Sequence, residues 1–324
     1  MHQTDQKNKT KSEEKLKDMI DRGRKDLFID LLDNAYEAAC VIDKDLNILF
    51  WNRSLEELTG NEAGDMINQK CKKNLLIQGA EEKLEICAEM CPVIQSFKDR
   101  VIRNYKAYIL HKEGFRIPAF MRVFPIKNKN DSLDGSIITF HEYSPKVSMP
   151  HLPKELKNMN MLDPLTETGN RRYIKMNLGY RLDEMKRYGL PVGILFCILD
   201  DIDSINDVFG TVVKDKVIKM IGKTISKNIR FFEFVGRWDE DSFLVILSNV
   251  NIHKLDLIAN KLRLLAEKSS IQVEDKLIHI TISVGGVMAE STSTIESMVE
   301  EARNLAHSSQ KSGKNKVTLF SEEY

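Results

Sequence analysis

The chain has 324 residues, enough for two ordinary domains of ~100–200 residues each. It carries 48 Lys and Arg against 48 Asp and Glu, a formal net charge of zero. That balance excludes the basic excess of a general nucleic-acid or anionic-membrane binder, and 30% charged with 42% hydrophobic residues excludes a disordered or fibrous chain.

Residues 1–25 are mostly polar and charged and read as a frayed lead-in that becomes helical near Lys15. They hold no apolar core of a signal peptide. The longest apolar stretch anywhere, Val192–Leu199, is far short of the ~20 residues of a membrane span. Five cysteines, an odd number in so long a chain, argue against a secreted disulfide scaffold. The expectation is a cytoplasmic protein with no membrane span and no nucleic-acid partner.

Ala38–Asn52 has two short apolar runs around Asp43-Lys44-Asp45 and predicts a β-hairpin. Leu55–Gln69 is helix or turn material punctuated by Gly60 and Gly64. Three β-type runs follow, Tyr105–His111, Ile117–Ile126 and Ser136–Tyr143, separated by Gly114 and by the polar stretch Lys127–Gly135. These elements predict one α+β domain over residues 26–144, an antiparallel sheet with helices. Pro145, Pro150 and Pro153 then break regularity, and Lys154–Leu162 predicts a short helix, so residues 145–162 read as a connector.

Residues 163–324 interleave helices and strands. Val192–Leu199 predicts a buried strand and Thr211–Asn228 an amphipathic helix. Phe232–Gly236 and Ser242–Leu247 predict strands joined by the acidic turn Arg237–Asp241. Ile252–Lys268 predicts a helix, Leu277–Met288 a strand, Thr294–Ser309 a helix and Lys316–Phe320 a last strand. With no Rossmann or P-loop glycine pattern, the expected architecture is an open sheet with helices packed on it.

Five motifs in this second half carry a resemblance. They are LDPLTETGNRRY (Leu162–Tyr173), LDDIDSINDVFG (Leu199–Gly210), GRWDEDSFLVIL (Gly236–Leu247), ITISVGG (Ile280–Gly286) and KSGKNKV (Lys311–Val317). In order and spacing they resemble the GGDEF family, whose active members condense two GTP into cyclic di-GMP. The first half, with VIDKDLNILFWN and HKEGFRIPAFMRVFPIKN, resembles a PAS sensor domain. It is most similar to the version bearing Cys…Cys-x3-Cys-Pro, here Cys71, Cys87, Cys91 and Pro92.

The resemblance implies a cyclase site that this sequence departs from. Phosphoryl transfer needs hard carboxylate oxygens for Mg²⁺. Counted back from Ile205-Asn206-Asp207, the first metal carboxylate falls on Ile198, while the second maps to Asp241 and its neighbour is Ser242. The signature turn reads Asp239, Glu240, Asp241, Ser242, Phe243, so its glycine pair is replaced by two acids. The phosphate-facing lysines fall on Asp203 and Gln310, and the turn is expected to repel a triphosphate. Guanine-reading positions are kept as Asn206 and Asp215, which also suit a turn and a helix cap. An inhibitory-site remnant maps to Arg230 and Glu233, which equally fit a surface ion pair. A two-residue gap would instead make Asp200 a metal carboxylate.

Asp200, Asp201, Asp203, Asp239, Glu240 and Asp241 can gather either a divalent cation or a solvated acidic rim. Cys71, Cys87 and Cys91, with His111 as a fourth ligand, can hold a metal, act in redox chemistry, or lie as buried structural thiols. Phe50 and Trp51 fit the core better than a cofactor contact. The expectation is a homodimeric PAS–GGDEF signalling protein with a degenerate DEDSF site, serving as a receptor for GTP or cyclic di-GMP or as a protein-docking module. Mg²⁺ would accompany a bound nucleotide, and the PAS ligand stays open. The alternatives are an active diguanylate cyclase with a displaced metal site and a redox or metal sensor.

Overall fold

The computed structural model describes residues 25–71, 76–78, 85–86, 91–127, 133–142 and 160–320. The first domain contains α1 (Lys25–Asp33), β1 (Ala38–Asp43), β2 (Ile48–Trp51), α2 (Arg53–Thr59), α3 (Ala63–Met66), β3 (Leu76–Gln78) and β4 (Glu85–Ile86). It continues through α4 (Pro92–Asp99), β5 (Arg103–Leu110), β6 (Arg116–Lys127) and β7 (Leu133–Glu142). The β1–β2 hairpin forms where expected because Asp43 Oδ1 accepts from the backbone N–H groups of Asp45 and Asn47, each at 2.8 Å. The strands make one antiparallel sheet in the order β2-β1-β7-β6-β5-β3-β4. Buried Asn52 joins the layers: its Oδ1 caps α2 through Leu55 N–H and also accepts from Ala39 N–H. Trp51 is core, as expected, with Ile42, Ile48, Leu55, Ile109 and Val123.

The second domain contains α5 (Arg171–Tyr188), β8 (Val192–Leu199), α6 (Ile202–Phe209), α7 (Thr211–Asn228), β9 (Phe234–Asp239), β10 (Ser242–Ser248) and α8 (Ile252–Glu267). It ends with β11 (Ser270–Val273), β12 (Lys276–His279), β13 (Ile282–Met288), α9 (Ile295–Lys311) and β14 (Val317–Leu319). Its sheet runs β14-β13-β8-β10-β9, antiparallel except for the β13–β14 pair. Every residue of the central strand β8 is buried, which is why it reads as one apolar run. Alternation divides that strand between two cores. Leu195, Cys197 and Leu199 face α7 and α8, while Ile194, Phe196 and Ile198 face α5 and α9. Helix α9 lies so close to β13 that a Cβ on Gly285 would stand 2.0 Å from the Ala302 carbonyl oxygen.

Both halves are α+β, as the patterning predicts, and among the described residues no helix is long and apolar enough to cross a membrane. Four local expectations change. The apolar stretch Leu277–Met288 is two strands, because β12 turns back on β11 while β13 joins the main sheet beside β8. Helices α4 and α6 are only eight residues long and α5 is weakly amphipathic, so none of the three stands out beside its motif. Asn206 therefore lies inside α6, not in a turn. The β9 strand begins at Phe234, two residues later than expected. The connector expectation falls almost wholly outside the described residues, as does the lead-in over residues 1–24.

Candidate functional site

The acidic turn between β9 and β10 is where the two mapped metal positions meet. Ile198 lies directly opposite Ser242 across the β8–β10 ladder, and Leu199 N–H donates to the Asp241 carbonyl at 2.9 Å. Ile198 is 3% exposed and packs in the α5/α9 core. Ser242 is buried with its Oγ unpartnered, and Phe243 is fully buried on the other face. Asp241 is half-buried, and burial, then Asp239 and Asp203 nearby, push its carboxyl above the usual carboxylate range. Glu240 is exposed.

Asp200, the alternative metal carboxylate, is turned inward and 2% exposed. Its Oδ1 accepts from Ser283 Oγ at 2.8 Å and Gln310 Nε2 at 3.4 Å. Its Oδ2 accepts from Thr281 Oγ1 at 2.6 Å and the Asn315 N–H at 3.1 Å. The carboxylate thus ties the end of β8 to β13, to α9 through Gln310, and to the turn before β14.

Three of the acids at this strand edge, Asp201, Asp203 and Asp239, have cationic partners. Asp239 pairs with Arg171 at 3.2 Å and with Arg303 at 2.6 Å, and the Arg171 guanidinium lies 4.6 Å over the Trp238 ring. Asp201 pairs with Lys314, and Asp203 with Lys214 at 3.6 Å. Four cations from α5, α7, α9 and the turn after α9 therefore replace those absent from the motif positions. Arg171 and Lys314 lie within quoted motifs, the entry motif and KSGKNKV; Lys214 and Arg303 carry no local signal. Among the described residues no three His, Cys, Asp or Glu side chains gather as a metal-holding set, so the six-carboxylate cation site does not form there. A Mg²⁺ ion wants several oxygens in near-octahedral array, and beside Asp241 the ladder pairs Ser242 with the apolar Ile198.

Asn206 and Asp215 stand on consecutive helices. Asn206 Oδ1 accepts from Thr211 Oγ1 at 3.2 Å, binding the end of α6 to the start of α7, and Asp215 is half-buried one turn further on. A cleft beside α6 is lined by Asp201, Ser204, Ile205, Phe209, His279 and Thr281.

Arg230 and Glu233 are brought together, but not as a surface pair. Glu233 is 5% exposed; its Oε2 accepts from the Arg230 N–H at 2.7 Å, and its Oε1 has no partner. Burial pushes this carboxyl up, against the pull of Arg230 and Lys261. Both residues line a cavity of about 240 Å³ together with Lys227, Asn228, Lys254 and Lys261. Asn228 Oδ1 is a second buried acceptor without a partner there. Sequence reasoning missed the lysines, although Lys254, Ile258 and Lys261 share helical spacing on one face of α8.

In the first domain Cys87 lies outside the described residues, so the three-cysteine metal site cannot be assembled from them. Cys71 titrates near 11, raised by burial and then by Cys91, and Cys40 is raised by burial and by Cys71. These three thiols are neighbours, a grouping the motif did not include because Cys40 sits on β1. His111, the suggested fourth ligand, instead stacks on Phe115 at 4.2 Å, and its Nδ1 accepts from the Glu113 N–H.

The comparisons agree with this two-part layout. The family model described as "Diguanylate cyclase, GGDEF domain" matches residues 160–316, and a PAS domain model matches residues 37–145. Diguanylate cyclase DosC of Escherichia coli (strain K12) is 23% identical over 160 residues, 49% of this chain and 35% of that protein. Diguanylate cyclase A of Treponema denticola is 28% identical over 242 residues, 68% of this chain and 65% of that protein. Among solved structures, diguanylate cyclase SiaD from Pseudomonas aeruginosa in complex with its activator SiaC has a TM-score of 0.50 and 23% identity. That likeness of fold covers 53% of this chain and 66% of the other. The chain thus spans about a third of DosC's length and just under two thirds of the other two. This chain is a PAS domain followed by a GGDEF domain.

Proposed function

We propose that the protein is a cyclic di-GMP signalling protein whose GGDEF domain receives a guanine nucleotide and does not synthesise one. The observation that carries this reading is Ile198, an apolar side chain 3% exposed in the α5/α9 core where the family places its first metal carboxylate. Asp200 cannot stand in for it without giving up the hydroxyl and amide donors that surround both its oxygens. The chain then has one mapped metal carboxylate, Asp241, and no step of phosphoryl transfer is assigned to it.

The Arg230–Glu233 cavity supports the receptor half of the proposal. Its rim is cationic, which suits phosphates, and its floor has two buried acceptors awaiting donors, which suits the N–H edge of a guanine. The test has two arms on the full chain. Incubation with GTP and Mg²⁺, then Mn²⁺, is expected to yield no cyclic di-GMP by chromatography; product above a no-protein control refutes the loss of synthesis. Equilibrium dialysis with cyclic di-GMP is expected to show binding that Arg230→Ala weakens at least tenfold. Absence of binding refutes the receptor role.

A further inference from the structure

The tip of the β5–β6 hairpin, Lys112–Ile117, does not end in solvent; it enters the corner of the GGDEF domain where α8 ends and β11 begins. Arg116 is 3% exposed, and its Nε and Nη2 donate to the Lys268 carbonyl at 3.1 and 2.7 Å. Lys268 is the C-cap of α8. A helix end leaves carbonyls without intrahelical partners and carries partial negative charge, so a guanidinium there satisfies both. The backbone joins in, with Ser270 N–H donating to the Gly114 carbonyl at 3.3 Å. Gly114 has φ +89°, and a Cβ on it would stand 2.2 Å from the Ser270 carbonyl oxygen, so only glycine permits this approach.

Helix α7 supplies the other wall. Asn228 Nδ2 donates to the Arg116 carbonyl at 2.9 Å. Lys223 pairs with Glu113 and lies 5.0 Å over the Phe115 ring, and Lys227 pairs with Glu142 at 2.7 Å. Phe115 and Ile117, 5% and 2% exposed, belong to the same apolar cluster as Val217, Ile221 and Leu262. Tyr108 on β5 is buried against Leu265 of α8. Domains joined by a small polar contact move freely by default; here apolar side chains, a buried cation and backbone hydrogen bonds converge on one loop.

We infer that this hairpin is a latch, a docking element of the PAS domain that caps α8 and fixes the two domains of the chain in one arrangement. Release of the latch frees the GGDEF domain to move relative to its sensor. Helix α7 gives the latch its reach. It starts at Thr211, bonded to Asn206, and ends at Asn228 under the hairpin, 18 residues or about 27 Å of rigid rod. One element therefore carries the candidate nucleotide residue Asp215 and the receptor for the sensor hairpin. This inference stands on the interface alone, whether or not a nucleotide binds.

Hydrogen exchange read by mass spectrometry on the full chain tests it. In the wild type the amides of residues 111–117 and 268–271 are expected to be protected. Arg116→Ala should raise their exchange at least tenfold while β1, β7 and β8 keep theirs. Glu113→Lys and Lys223→Glu, each alone, should speed exchange in both segments, and the double exchange should restore protection, a rescue that a folding defect does not produce. Fast exchange of both segments in the wild type, or indifference to Arg116→Ala together with no effect of the charge reversals, overturns the latch.

Discussion

Replacing Asp200 by alanine separates two roles that one carboxylate cannot easily combine. As the structure has it, Asp200 is a tie: 2% exposed, accepting from Ser283, Thr281 and the Asn315 amide at 2.8, 2.6 and 3.1 Å. Alanine leaves those three donors without their acceptor. A buried polar group stripped of its partner costs ~1–3 kcal/mol, so the three together bound the loss at roughly 3–9 kcal/mol. The two hydroxyls can rotate toward other acceptors and water can enter the gap, which places the expected loss near the lower end, about 3–5 kcal/mol. Asp200→Asn keeps the volume but turns an NH₂ toward a donor, and should cost about half as much. Urea titration followed by Trp238 fluorescence and far-UV circular dichroism reads the GGDEF transition, with the PAS transition treated separately because a two-domain chain need not unfold in one step. A loss below about 1 kcal/mol for Asp200→Ala would refute the reasoning. It would mean the donors are satisfied without Asp200, and that its carboxylate is free to serve a metal.

Two further outcomes follow from the titrating groups. His111 is held down to about 4 by burial, below its usual 6.5, so the folded state resists protonation that the unfolded chain accepts. Stability is then complete above pH 6.5 and falls as pH drops toward 4; melting curves across that window should show the decline, and His111→Phe, which keeps a ring on Phe115, should flatten it. A His111→Phe profile identical to wild type would refute the assignment. Burial raises the Cys71 thiol to about 11 and the Cys197 thiol to about 12, so at pH 8 neither should react with a thiol reagent at more than a small fraction of its rate in urea. Mass-mapped labelling of Cys71 at an ordinary thiol rate in the native protein would contradict that environment.

Much of the fold was legible because its signals are local. The Asp43-Lys44-Asp45 turn, the eight apolar residues of β8 and the 18-residue amphipathic α7 each announce themselves within a short window. The reading of Leu277–Met288 as one strand missed because two pleated runs meet without a turn residue, and only pairing partners divide them. Helix α6 hid inside its motif: eight residues with Asp, Ser and Asn look like loop until Ile202 is seen to be buried. In the site, the pairing of Ile198 with Ser242 was not legible, because strand register is set by partners distant in the chain.

By itself the sequence determined the order of the two domains and the strand and helix that carry the motifs. Those properties depend on residue type and short spacing, which the chain writes directly. Only the tertiary structure decided where each charge goes. Asp239 finds Arg303 at a separation of 64 residues, Asp200 meets Asn315 across 115, and Arg116 caps α8 across 152. The burial of Glu233 beside a cationic cavity likewise depends on packing between α7, α8 and the PAS domain. Such partners are set by how the sheets and helices pack, and a carboxylate's role as tie, ligand or rim follows from what then surrounds it.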